Sequence, residues 1–164
     1  MKFDKKMLSY HLGLVFRDNA VEDTMVMHYV LDENAMHGLK PLALKYTTFG
    51  DYDAELEEFK KDYCSTHGML QEDFTYDLIP FNIICKYASI DTAATLTLYF
   101  KFKPIIESNA KLTYVYYNLL IRGTNFLERM EEVGIPISIP RMRAAEVHLD
   151  EEILIAKTRL YEFD

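Results

Sequence analysis

The sequence predicts a mainly α-helical chain, either an all-α domain or the helical share of an α/β domain whose sheet is encoded elsewhere. Three observations carry this. Apolar residues recur at three- and four-residue spacing through most of the 164 positions, the period of a helix with one buried face. Strand-like patterns are scarce, with short candidates only near Val21 and at 135–138, IPIS. Glycine and proline stand where helices should begin or end, at Gly38, Pro80, Gly134 and Pro140.

Taken in order, residues 3–15 form the first predicted helix, with Phe3, Met7, Leu8, His11, Leu14 and Val15 on one face. From 21 to 31 a short strand is expected to run into a helix at Asp23-Thr24. Gly38 and Pro41 bracket the start of a third segment, LKPLALKY. Residues 52–64 read as a surface helix with Tyr52, Leu56, Phe59 and Tyr63 as its stripe, and the charges between them as a solvated face. A loop over 65–77 follows, and Pro80 opens the next helix. The stretch 81–103 is apolar nearly all round, which predicts burial between layers, with Pro104 and Ser108-Asn109 interrupting it. A long helix over 110–133 stops at Gly134. Pro140 then suits the first turn of a last helix, in which Met142, Ala145, Leu149, Ile153, Ala156, Leu160 and Phe163 form a narrow seam for a partner helix.

Composition narrows the function. Apolar residues make up 49% and charged residues 27%, enough for a real core. The net charge of −8 argues against a module that grips nucleic acid mainly through phosphates, yet it suits a site that holds cations with carboxylates. No apolar run approaches the roughly 18–20 residues of a membrane span, and the charged start MKFDKK does not resemble a secretory leader. Cys64 and Cys85 have no metal or redox spacing, so a reduced, cytoplasmic setting is expected. There is no GxGxxG, Walker loop, GxSxG or HExxH, and His11 and His37 read as structural.

One polar pair stands out within the apolar stretch: Tyr87 and Asp91, four apart and so on one helix face. An ionised carboxylate on such a face costs several kcal/mol unless it is paired. The pattern Y-x-x-x-D occurs once in this chain, about as often as chance would place it, so its weight comes from order and context.

The order is KFD at 2–4, DTMVMHYVLD at 23–32, HGLKPLALKY at 37–46, YASIDTAATLTLY at 87–99 and LLIRGTNFLERMEEVGIPIS at 119–138. This series resembles the proofreading 3′–5′ exonuclease domain of family A, DNA polymerase I-like enzymes of bacteriophage type, from the second exonuclease motif onward. The resemblance implies an α/β, RNase H-like fold without its first strands over 1–108, and a connector with the first polymerase-domain helix over 109–164. It implies catalytic roles for Asp4, Tyr87 and Asp91, a substrate contact at Phe3, and Mg²⁺ or Mn²⁺ held by Asp4 and Asp91. The implied substrate is the single-stranded 3′ end of DNA. Two cations about 3.5–4 Å apart can stabilise both the entering and the leaving oxygen of a phosphodiester hydrolysis.

The first motif of that family, Asp-x-Glu on a strand, would precede residue 1. Asp53/Glu55 and Asp150/Glu152 spell it, but on predicted helices, where residues two apart diverge by about 200°. Two carboxylates out of four make half a two-cation site, so the chain alone is expected to be a poor or inactive nuclease. It would need the remaining segments in trans, or serve instead as an inert interaction subunit of a split polymerase. Exposed apolar surface is expected to drive association with them or with a second copy.

Overall fold

The computed structural model describes residues 2–17 and 22–161, and divides the chain into two compact units, Met1–Leu127 and Glu128–Asp164. In the first unit α1 spans Lys2–Leu12, α2 Thr24–Leu31, α3 Leu39–Tyr46, α4 Ala54–His67 and α5 Phe81–Glu107, with a 3₁₀ turn at Tyr76–Leu78. Then come α6 at Ala110–Tyr114, a π-helical stretch at Val115–Leu120 and α7 at Ile121–Val133, and α8 runs from Ile139 to Tyr161. No strand occurs among the described residues.

The helix boundaries follow local chemistry. Gly13 adopts φ +66, a left-handed conformation that favours glycine, and its N–H closes the last turn of α1 onto the Ser9 carbonyl at 3.1 Å. Instead of a strand before α2, Asp23 caps that helix: its Oδ1 accepts from the Met25 and Val26 N–H groups at 2.9 and 3.1 Å. Val21, where the strand was expected to begin, lies outside the described residues. Asn109 caps α6 in the same way as Asp23 caps α2.

Four other expectations need correction. The helix of 52–64 starts at Ala54, so Tyr52 precedes it, and it continues to His67. Pro104 lies inside α5; it removes one hydrogen bond, to the exposed Phe100, and the helix ends three residues later at Glu107. The 110–133 helix is not uniform, because its π stretch adds residues to the turn carrying Tyr116 and Tyr117. IPIS is exposed coil, for a strand with no neighbour leaves its backbone groups unpaired.

The main core gathers around α5. Ala94, Leu98, Phe102 and Ile106 recur every four residues and are buried, while Phe81, Leu96, Phe100 and Ile105 on its other sides are exposed. The helix is thus buried along one stripe, not all round, since the described neighbours cover only that side. Against the stripe pack Met27 of α2, Leu42 of α3, Tyr116 of the π stretch and Ile121 of α7. Tyr116 is wholly buried, and its hydroxyl accepts the Asp23 N–H at 3.0 Å. Lys103 joins Glu22 at 2.9 Å and Tyr99 at 2.7 Å, and Tyr117 reaches Glu22 and Glu107 at 3.4–3.5 Å. Burial, then the Glu22 charge, push the Tyr117 phenol up to about 12. A second cluster unites Leu56 and Cys64 of α4 with Phe74 and Ile79, and Tyr87 packs on its edge.

In the second unit, α8 buries no residue. Met142, Leu149, Ile153 and Leu160 of the expected seam are exposed, and Phe163 lies outside the described residues.

One core polar group ties the packing to pH. His28 is 1% exposed, with Nδ1 2.8 Å from His37 Nδ1, Nε2 3.2 Å from Tyr46 Oη, and its ring against Phe102. Burial, then His37 and Lys45, lower its pKa below 6.5, against the opposing pull of Asp32. The folded state therefore binds this proton less readily than the unfolded chain. Its penalty is absent above about pH 6.5 and grows as pH falls below that value. The melting temperature should drop between about pH 7.5 and pH 5.5, and by less in His28→Gln. Leu98→Ala should cost about 2–5 kcal/mol in urea unfolding at neutral pH.

Candidate active site

Two of the expected site residues are neighbours. Tyr87 and Asp91 are one turn apart on α5, near enough that the Asp91 charge acts on the Tyr87 phenol. A third residue, not foreseen, joins them: Tyr52 Oη donates to Asp91 Oδ1 at 2.5 Å. The Tyr52 and Tyr87 rings lie 6.0 Å apart with planes 34° from each other. Burial, then the Asp91 carboxylate, raise the pKa of both phenols, so both remain hydrogen-bond donors at neutral pH. Asp91 therefore accepts from the neutral Tyr52 phenol with Tyr87 beside it, and no lysine neutralises it in an ion pair among the described residues.

Charged groups border this pair. Lys40, just after the start of α3, pairs with Asp53 and stands 3.9 Å from Glu57, with Nζ 5.6 Å from the centre of the Tyr87 ring. Asp53 and Glu55 serve different partners, since Glu55 meets Lys86 at 2.5 Å. They do not form a shared carboxylate pair.

Phe3 and Asp4 lie in the first turn of α1, where a negative charge is favoured. Both are exposed and line a cleft of about 690 Å³, together with Lys2, Lys5 and Leu8. Residues 22–26 at the start of α2 form another wall, and His37, Leu39, Thr124 and Leu127 complete it. Its α5 wall is Thr95, one turn beyond Asp91 on the same helix face; Thr95 Oγ1 donates to the Asp91 carbonyl at 2.8 Å. Asp91 itself does not line the cleft. Asp4 and Asp91 do not share this cleft; about 6 Å of helix rise separates Asp91 from Thr95 on the cleft wall.

The donors here are hard carboxylate oxygens, the chemistry that suits Mg²⁺ or Mn²⁺. Their number falls short of a two-cation cage: among the described residues no group of three or more His, Cys, Asp or Glu side chains is arranged so that it could hold a metal ion. The same residues include no helix long and apolar enough to cross a membrane.

Tyr52 escaped the sequence reading because helical spacing assigned it to the α4 stripe with Leu56 and Phe59. The discriminating signal was Asp51-Tyr52-Asp53 itself, a poor helix interior that reads better as a turn and cap.

Residues 1–107 match the 3′–5′ exonuclease family. The chain is 49% identical to a DNA polymerase of Escherichia phage T5, an alignment covering 99% of this chain and 20% of that protein. It is 27% identical to a DNA polymerase of Bacillus phage SP01, with 99% and 17% covered, and 26% identical to DNA polymerase I of a Synechocystis strain, with 98% and 15% covered. The chain thus spans a fifth or less of the length of these relatives. No solved structure matches it.

Lys40→Met should cost about 1 kcal/mol at neutral pH, a figure held low because the Lys40 side chain is 42% exposed. The Lys40 hydrogen bond, against the opposing effect of burial, holds the Asp53 carboxyl below 3.8. Its contribution is present above that value and is lost as pH falls through the lower folded one. Urea midpoints of parent and variant should therefore draw together as pH falls below 3.8.

Proposed function

We propose, since this chain belongs to the 3′–5′ exonuclease family of family A, bacteriophage-type DNA polymerases, that it carries the second- and third-motif part of a proofreading site. The site removes nucleotides from the single-stranded 3′ end of DNA. The observation behind this reading is the Tyr87–Asp91 pair: a carboxylate set among phenols on a core helix, one turn from a cleft lined by Phe3 and Asp4.

In this reading Asp91 and Asp4 are the cation ligands, and Phe3, largely exposed on the cleft wall, stacks on the terminal base. Tyr87 orients the attacking water through its hydroxyl. Lys2 and Lys5 add positive charge on the α1 wall, where the phosphate backbone would lie. Bound Mg²⁺ or Mn²⁺ supplies positive charge at the scissile phosphate and lowers the pKa of the attacking water. The first-motif carboxylates come from polypeptide beyond this chain, so hydrolysis requires their presence in cis or in trans.

Residues 109–164 act as connector and first polymerase-domain helix, a division supported by the family match ending at residue 107. A second reading is favoured by α8, whose exposed Met142, Leu149, Ile153 and Leu160 suit docking to another polypeptide. There the chain would be an interaction subunit without catalysis of its own.

The experiment mixes the chain with candidate polypeptides carrying a strand-borne Asp-x-Glu, with Mg²⁺ and 3′-labelled single-stranded DNA. Label release should appear only in the mixture, disappear with Asp91→Ala, and fall about 10²-fold with Tyr87→Phe, as loss of a water-orienting group predicts. Release that persists undiminished in Asp91→Ala would exclude this site.

A further inference from the structure

Residues 52 and 53 grip two different helices from one turn. Tyr52 reaches α5 through the 2.5 Å bond to Asp91 Oδ1, and Asp53 reaches α3 through its ion pair with Lys40. Lys40 in turn faces the Tyr87 ring, and the Tyr87 and Tyr52 rings lie 6.0 Å apart. The turn is thus held from two directions, by α5 through Tyr52 and by α3 through Asp53, which leaves the Tyr52 hydroxyl little freedom.

We infer that Tyr52 is a positioning residue for Asp91. This deepens the exonuclease reading and rests on it. A surface aspartate can hop between staggered χ1 rotamers and has a broad, roughly two-fold χ2, so its carboxylate presents either oxygen at many angles. Pinning Oδ1 removes that freedom and sets where the second oxygen points. The two phenols then have different tasks. Tyr87 orients a water, and Tyr52 is the phenol that stays on the carboxylate. A catalytic ligand misplaced by about 1 Å can cost 10²-fold in rate, which is why a separate anchor matters.

The test uses the full 164-residue chain with ¹³C-labelled aspartate, followed by NMR, with Mn²⁺ alone as the probe. The parent should show one Asp91 side-chain rotamer from its three-bond couplings, and Mn²⁺ should broaden Asp91 ahead of the other aspartates. Tyr52→Phe keeps the ring against Tyr87 but removes the donor. It should average the Asp91 rotamers and raise the Mn²⁺ concentration for half-broadening about tenfold, as loss of a metal ligand's hydrogen-bond partner does. Asp53→Asn, which slackens the turn without touching Asp91, should shift both readings in the same direction by less, and it reports even if Tyr52→Phe fails to keep its helical circular dichroism. An unchanged rotamer and an unchanged half-broadening concentration in the variants overturn the positioning role while leaving the site in place. A parent in which Mn²⁺ does not single out Asp91 removes the site reading, and this inference with it.

Discussion

A buried stripe on one helix organises the first unit. Along α5 the residues Tyr87, Asp91, Ala94, Leu98, Phe102 and Ile106 follow one another at spacings of four and three, so they lie on one slowly turning face. The apolar end of that face is the core, closed by α2, α3 and the π stretch. Its polar end is the candidate site. The carboxylate therefore inherits the rigidity of the packing that follows it in the same helix.

That arrangement sets a problem of charge, and the fold answers it with a neutral donor. The Tyr52 phenol bonded to Asp91 satisfies an oxygen without cancelling the charge, whereas an ammonium would do both. A neutralised carboxylate has little left to offer a cation; one held by a phenol keeps its charge. Lys40 is engaged by Asp53 and faces the Tyr87 ring.

The cleft wall at the start of α2 is held from behind by a second polar system. Tyr116 binds the Asp23 backbone, Asp23 caps α2, and Lys103 and Tyr117 close on Glu22. The π stretch makes this feasible by presenting consecutive tyrosines to one region, one into the core and one at its margin. Residues 22–26 are thus set by contacts nearly a hundred positions away in sequence.

Most helices were legible from residue order, because their causes are local. Apolar spacing, Ser108-Asn109 as an interruption, Gly38 and Pro80 ahead of helices and Gly134 after one act within a turn or two of where they stand. Tyr87 and Asp91 were legible for the same reason, four residues apart in a helix, as was the family from its ordered motifs. The strand expected at IPIS, the all-round burial of 81–103 and the place of Tyr52 were not. Each depends on which distant segment comes alongside: a partner strand, a layer over Phe100, or an aspartate 39 residues on. Local spacing records the conformation that a segment prefers, while the bond from Tyr52 to Asp91 exists because packing around α5 brings the 51–53 turn against that helix.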